Sequence, residues 1–264
     1  MGSSPWASVL LMSVDPLAVL ASSPNVAAAV QAAREEIDAL LWRRDVRTAA
    51  DAVAAASRER GARASAAMDG ADIAVVEDSP MGRLLDASLR LTSAVPGQVD
   101  VFGQAPLQVL AHLHALAARG FVEADDLGRP RQGAVADDPL NLGSLPSADE
   151  VSARLALLAD LLTTPTQAPA LVAAAVAHAE LAVLRPFVWG SGLLARATTR
   201  LVLAARGVDP SLFSIPEHGF LEAGRPAYVR ALRGYASGAA DGVAEFITWH
   251  ATACALGARA VDVP

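Results

Sequence analysis

The sequence contains no lysine, so all 21 residues counted as Lys+Arg are arginines. This absence excludes P-loop nucleotide hydrolases, whose lysine binds phosphate, and enzymes that need a lysine nucleophile or base. Cysteine is nearly absent too, because Cys254 stands alone and cannot form an intramolecular disulfide or a cysteine zinc cluster. Aromatic residues make up only 5% of the chain, whereas hydrophobic residues make up 53%. These proportions predict a globular protein with an ample aliphatic core, and the single cysteine suits a reducing cytoplasm.

Positive charge is also scarce relative to negative charge. The 28 Asp+Glu residues outnumber the arginines and give a net charge of −7, with no basic stripe. Nucleic acids need clustered cations, so we expect no nucleic-acid partner. The apolar run from Ala7 to Val14 ends at Asp15, too soon for a signal peptide or a membrane span. We therefore predict no membrane partner, and residues 1–22 are interpreted as a partly ordered arm.

Apolar residues recur every three or four positions almost throughout, which predicts an all-α fold. An N-terminal helical segment is expected over residues 23–100, with helices starting near Asn25 and near Thr48, the second ending at Gly70. A core domain is expected over residues 101–264. Its helices are predicted at residues 104–119, 147–162, 168–184, after the glycines at 190 and 192, and at 226–236 and 242–257.

Two features organise the predicted core. Residues 168–184 are apolar except for His178 and Glu180, which is typical of a helix in the middle of a bundle. Residues 125–146 are rich in glycine and proline and form a long loop, and such loops usually carry function or are disordered. Ser147, with Glu150 three residues later, forms a capping box that starts the next helix.

The most informative segment is residues 185–196, Arg-Pro-Phe-Val-Trp-Gly-Ser-Gly-Leu-Leu-Ala-Arg. Two glycines lead directly into a helix, whose free N–H groups and dipole favour an anion. Gly190 and Gly192 also fit the dinucleotide fingerprint, which keeps an NAD(P)-binding oxidoreductase as a remote alternative. That fingerprint requires a preceding strand and a parallel sheet, whereas a helix is predicted before it.

This segment resembles the active-site motif of the Fic family, His-Pro-Phe-x-Asp/Glu-Gly-Asn-Gly-Arg-x-x-Arg. The matching positions are Pro186, Phe187, Gly190, Gly192 and Arg196. Weaker matches extend the resemblance over residues 60–257. It implies an all-α Fic-like bundle with a small β-hairpin flap at residues 129–142, and an enzyme that transfers AMP or a related group from a nucleotide to a protein hydroxyl.

The departures from the motif fall on its chemistry. Arg185 stands where the family has its catalytic base, and a guanidinium stays protonated. Trp189 replaces the metal-binding acid and offers no oxygen to Mg²⁺, so no metal site is predicted. Ser191 replaces the phosphate-binding Asn, and Leu193 replaces the first Arg, which removes one phosphate ligand.

A second resemblance lies upstream, where Ser65 and Asp69 match the family's inhibitory helix, Ser/Thr-x-x-x-Glu-Gly/Asn. In the family, the inhibitory Glu pairs with the last Arg of the active-site motif. The resemblance therefore implies an ion pair between Asp69 and Arg196, bidentate if the geometry allows. The alternative is that Asp69 only caps the turn at Gly70.

Other candidates are weaker. His218 is expected in a loop beside Glu217 and is the only substitute base that the sequence offers. Trp189 either fills the nucleotide pocket or presents a stacking face. His178 is expected to be a core histidine that could reach toward the motif.

These observations favour a degenerate Fic-domain protein, without AMP transfer, that acts as a binding or regulatory module for a protein partner or an anion. The alternative is a nucleotide-dependent transferase of altered chemistry, with ATP or another nucleotide held by Arg185 and Arg196 without Mg²⁺ and with Ser191 or His218 assisting. Gly190, Ser191, Gly192 and Trp189 complete the predicted ligand site. The Ala- and Leu-rich helix faces near the N-terminus are compatible with a homodimer.

Overall fold

The computed structural model of the chain describes residues 15–70 and 79–264. Within these ranges the chain forms thirteen α-helices, named here α1 (Pro16–Ala21), α2 (Pro24–Trp42), α3 (Arg44–Thr48), α4 (Ala50–Met68), α5 (Pro80–Ala94), α6 (Val99–Phe102), α7 (Pro106–Ala117), α8 (Ala148–Thr163), α9 (Ala170–Leu184), α10 (Ser191–Ala205), α11 (Pro216–Glu222), α12 (Arg225–Ala236) and α13 (Ala240–Arg259). Two short 3₁₀ helices, Val95–Gln98 and Ala124–Asp126, lie between them. The predicted all-α fold is confirmed.

Helix α9 lies at the centre of the bundle. Every residue from Leu171 to Leu184 is buried, His178 and Glu180 included, as its uniform apolar character predicts. Helices α10 and α13 pack along it, and α8 and α12 complete its surroundings. The two buried polar side chains are satisfied by neighbours, since Glu180 receives two hydrogen bonds from Arg154 and one from the Tyr235 hydroxyl.

The N-terminal helices are part of the same core. Helix α2 packs along α13, and α4 packs against α5 and α11. Most of the arm predicted over residues 1–22 lies outside the described residues. Its end is held in place, because the Asp15 carboxylate caps α1 and also accepts hydrogen bonds from Thr166 and the Gln167 amide.

Several local predictions differ from the structure. The sequence analysis did not anticipate α5, whose start is capped by the Ser79 hydroxyl. Residues Val95–Gln98 form a 3₁₀ helix that continues from α5. The cap at Ser147 is present and accepts from the Glu150 amide, but the Glu150 carboxylate bonds Arg154 instead of closing the capping box.

Strands are absent from the described residues. The structure does not show the expected β-hairpin flap, because residues 129–142 form an irregular loop, and the only β-bridge found in the described part joins Arg119 and Val122. The NAD(P)-binding alternative, which requires a parallel sheet, is therefore wrong. No helix in residues 15–70 or 79–264 is both long and apolar enough to cross a membrane.

Candidate functional site

The site is built where α9 ends and α10 begins. Arg185, which follows α9, adopts a left-handed conformation with φ +45° and ψ +62°, which is uncommon for a residue with a side chain. Proline at 186 cannot continue the helix. Gly190 then turns the chain with φ +76°, a conformation that favours glycine, and α10 begins at Ser191. We call this turn, residues 186–192 with the first N–H groups of α10, the cradle.

Arg196 lies fully buried on the first turns of α10. It donates to the Asp69 carboxylate at 2.6 Å, to the Ser65 hydroxyl at 2.7 Å and to the Ser65 carbonyl at 3.0 Å. The ion pair expected between Asp69 and Arg196 is thus present, through one bond rather than two. Asp69 also ends α4, so pairing and helix termination occur together. A Cβ on Gly192 would lie 3.3 Å from both Asp69 Oδ2 and Arg196 Nη1, so glycine lets this pair approach the cradle.

The clasp between Asp69 and Arg196 leaves hydrogen-bonding capacity unused. Asp69 Oδ1 and Arg196 Nη1 are both buried and have no partner. Burial alone would lower the pKa of Arg196, but the Asp69 carboxylate and the Tyr228 hydroxyl beside it leave that pKa above its ordinary value. Arg196 is therefore a permanent buried cation, and its Nη1 has no hydrogen-bond partner.

A second arginine of α10 fastens the same helix, α4. Arg200 donates to Glu217 on α11 through Nε, and to the Ser57 carbonyl on α4 at 3.0 Å. Gly61 makes this approach feasible, since a Cβ there would lie 2.4 Å from Arg200 Nη2. The side chains of Arg200 and Glu217 are both buried, with 1% of each exposed. The sequence analysis missed this pair, although Arg200 follows Arg196 by one helical turn and so shares its face.

Arg185 is used as a structural cation. Its guanidinium pairs with Asp138 at 2.8 Å and donates to the Gly143 and Ser144 carbonyls. The backbone carbonyl of Arg185 accepts in turn from the Arg131 side chain at 2.8 Å. Arg185 therefore ties the end of α9 to the loop between α7 and α8.

That loop brings an unpredicted carboxylate to the cradle. Asp137 Oδ2 accepts from the Gly190 amide at 3.2 Å, and its own amide donates to the Val188 carbonyl at 2.9 Å. Burial raises the pKa of Asp137 to about 6 in spite of the Gly190 bond, and the nearby Asp69 carboxylate contributes in the same direction. The sequence offered no signal for this role beyond an acid in a glycine- and proline-rich loop.

The residues that replace the ligand-binding residues of the motif make contacts within the protein instead. Trp189, expected either to fill the pocket or to present a stacking face, stacks on Phe121 with ring centroids 3.9 Å apart. The Ser191 hydroxyl bonds the amide and the carbonyl of Phe187, closing the turn on itself. Leu193 is fully buried in the core.

The histidines do not supply a base at the cradle. His218 lies on α11 rather than in the predicted loop, and its charged neighbour there is Glu222 at 3.8 Å. His178 is a core residue that bonds Thr199 and the Tyr228 hydroxyl, and burial lowers its pKa well below the ordinary value. His114 contacts the Trp189 carbonyl and stacks on Phe187, and burial lowers its pKa to about 4.

Within residues 15–70 and 79–264, no three His, Cys, Asp or Glu side chains converge as a metal ion would require. Trp189, at the position of the family's acid, has only an indole to offer, and its nitrogen is a donor. The residues present do not fit the Mg²⁺ that the Fic motif implies.

Comparison with known proteins identifies the fold. No protein-family model and no curated protein matches the chain. Among solved structures, a Fic family protein from Desulfovibrio desulfuricans G20 superposes with a TM-score of 0.69 at 22% identity, covering 90% of this chain and 74% of that one. The Fic-1 protein of C. elegans gives a TM-score of 0.58 at 14% identity, with 89% and 71% covered. A variant of Fic-1 gives 0.53 at 16% identity, with 97% and 77% covered.

Proposed function

We propose, starting from the Fic fold that this chain carries, that the protein is a degenerate Fic family member that does not transfer AMP and that works as a binding or regulatory module. The observation that carries the proposal is the use made of Arg185. At the position of the family's base it forms an ion pair with Asp138 and holds two loop carbonyls.

The absence of a base at position 185 follows from elementary acid–base chemistry. A guanidinium has a pKa above about 12 and cannot accept a proton from a hydroxyl at neutral pH. His178, on the helix that precedes the motif, is enclosed by buried partners. A target hydroxyl at the cradle would therefore meet no histidine base, and the Asp137 carboxylate there is engaged by the Gly190 amide.

Phosphate binding is also weakened relative to the Fic motif. Leu193 removes the first arginine, and Ser191 spends its hydroxyl on Phe187. Trp189 provides no oxygen for Mg²⁺, so no step through a metal ion is derived. What remains is Arg196 with the cradle amides, a site that can bind an anion but holds few groups that could stabilise charge in a transition state.

A second candidate is a nucleotide-dependent transferase of altered chemistry, and one observation favours it. Arg196 Nη1 is buried beside the cradle without a partner. In this alternative Arg196 binds the nucleotide phosphate alone, because Arg185 is occupied by the loop. We further propose a cytoplasmic location, in which the single buried thiol of Cys254 stays reduced.

The deciding experiment combines binding and transfer. The purified protein, Arg196→Ala and Asp69→Ala are titrated with ATP and other nucleotides, with and without Mg²⁺, and each is incubated with labelled ATP and a cell extract. We expect no labelled protein with any variant. Metal-independent binding that strengthens in Asp69→Ala and is lost in Arg196→Ala would support an anion-binding module. Labelling that depends on Arg196 would overturn the proposal in favour of the transferase.

A further inference from the structure

Residues 137–143 of the loop between α7 and α8, called here the strap, begin at the cradle. The first residue of the strap, Asp137, is bonded on both sides of Trp189, to the Val188 carbonyl and to the Gly190 amide. Leu140 in its middle is buried. The strap is therefore seated in the protein and is not merely lying over it.

Three arginines hold the strap in this position. Arg185 pairs with Asp138, and Arg225 and Arg233 of α12 donate to the carbonyls of Pro139 and Asn141. The far end of the strap is closed locally, because the Asp138 carboxylate also accepts from the amides of residues 142 and 143. The strap is thus fastened to α9, to the cradle and to α12 at once.

The seated strap brings a second carboxylate to a site that already contains one. Asp137 and Asp69 both lie within electrostatic range of Arg196, with Asp137 bonded to the Gly190 amide and Asp69 close to Gly192. Together they supply the negative charge that a phosphate group would bring. The space left between the strap and Gly192 is a cavity of about 10 Å³, barely room for one water molecule. A phosphate group that bound the Gly190 amide would have to displace Asp137 from it.

We propose that the strap is an internal competitor for the cradle, so that the Asp137–Gly190 contact and an external phosphate group exclude each other. The proposal rests on the binding function proposed above and specifies how that site is regulated. Two observations point to an anion there: the Gly190 N–H donates to a carboxylate, and Nη1 of the fully buried Arg196 has no hydrogen-bond partner.

The same geometry gives the His-to-Arg departure at position 185 a role. An external anion enters only when the strap lifts, and lifting it breaks the Arg185–Asp138 pair and the bond from Arg185 to the Gly143 carbonyl. Arg185 is the latch of the strap. Arginine in place of histidine at position 185 then does two things at once: it removes the base of the Fic motif and it holds the strap.

The test uses inorganic pyrophosphate as the probe and Asp137→Asn as the main variant. Asparagine keeps the size of the side chain and removes its charge. The matched control is Asp125→Asn, which removes the same charge from a side chain that is 99% exposed on the same loop. We expect Asp137→Asn to bind pyrophosphate about tenfold or more tightly than the wild type, and Asp125→Asn to match the wild type by calorimetry.

Hydrogen exchange gives a second readout. Saturating pyrophosphate should speed amide exchange in residues 137–143 of the wild type, and Asp137→Ala should speed exchange in residues 186–192 without any ligand. Equal pyrophosphate affinity in the two Asn variants, no measurable binding by either, or binding that leaves strap exchange unchanged would each overturn the proposal. Labelled ATP separates it from the proposed function: AMP transfer by Asp137→Asn would overturn that function and leave the strap intact.

Discussion

The Asp69 carboxylate meets the Arg196 guanidinium at 2.6 Å, yet one oxygen of the first and one nitrogen of the second remain buried without a partner. The two residues are 127 positions apart in the chain, so the contact joins the end of α4 to the start of α10. A pair satisfied through only one bond compensates the desolvation of its charges incompletely. We therefore expect a small external anion to bind most favourably at the clasp.

Removing the Asp69 carboxylate should destabilise the protein and increase its affinity for anions. Asp69→Ala leaves the charge of Arg196 buried and unpaired, which costs about 3 kcal/mol of unfolding free energy. Added phosphate should restore part of this loss by binding the native state. Urea denaturation with and without phosphate measures both effects.

The control for this experiment is Glu59→Ala, on the same helix, whose exposed pair with Arg63 should contribute less than about 1 kcal/mol. An Asp69→Ala protein as stable as Glu59→Ala would show that Asp69 acts only as the end of the helix.

The buried ion pair between Arg200 and Glu217 can be tested by a substitution at Gly61. Gly61→Ala places a Cβ 2.4 Å from Arg200 Nη2 and 2.8 Å from Glu217 Oε2, so a fully buried ion pair must move. We expect a loss of about 3 kcal/mol in urea denaturation, larger than the stabilisation that alanine normally brings to a helix interior.

Gly97→Ala is the matched control, because no atom lies within 4 Å of the added Cβ. It should leave the unfolding free energy unchanged or raise it slightly. Equal effects of the two substitutions would contradict the close approach of α4 and α10.

Sequence periodicity predicted the helices wherever burial follows a regular pattern. Helix α9 was predicted to within two residues, and the Ser147 cap was predicted at its residue, because each depends on neighbours in the chain. The ion pair of Asp69 with Arg196 was predicted for a different reason, since only the resemblance to a known motif joined two residues so far apart.

The remaining parts of the site depend on tertiary contacts that no local pattern encodes. Asp137 looked like any acid in a polar loop, and only the fold brings it to Gly190. The sequence left Trp189 either filling the pocket or presenting a stacking face, and only the fold brings Phe121 to it as a stacking partner. His218 was expected in a loop, whereas it lies in α11, with Pro216 in the first turn of that helix.

The buried histidines predict a loss of stability in mild acid. Burial lowers the pKa of His250 to about 3 and that of His114 to about 4, and it lowers the pKa of His178 well below the ordinary value. The unfolded chain binds these protons near its ordinary pKa of about 6.5, so it takes up more protons than the native state below that pH. With respect to these three histidines, the free energy of unfolding is highest above about pH 6.5 and declines as the pH falls toward 4.

Asp137 acts in the opposite direction, because its pKa of about 6 in the native state is raised above the unfolded value and it favours folding as the pH falls through 6. Three histidines outweigh one carboxyl group. We expect a net loss of about 3 kcal/mol between about pH 7.5 and pH 5.5 in urea titrations. His112→Gln, which alters an exposed histidine, should keep this pH dependence, and a flat profile in the wild type would contradict the buried neutral histidines.

Restoring the family's base should not restore AMP transfer. Arg185→His returns a histidine to the motif, and histidine tolerates the left-handed conformation found there better than most residues. The variant still has Trp189 and Leu193 in place of the metal and phosphate ligands of the Fic motif, so labelled ATP should mark no target.

The effect of Arg185→His should fall on the strap instead, because the partly buried Asp138 carboxylate loses its partner. We expect the free energy of unfolding to fall by about 2 kcal/mol and amide exchange over residues 137–143 to become faster. Arg129→Gln, which removes a cation that is 72% exposed on the same loop, should change neither quantity. Transfer of AMP by Arg185→His would mean that position 185 alone separates this protein from an active enzyme, whereas unchanged strap exchange would mean that Arg185 is not the latch.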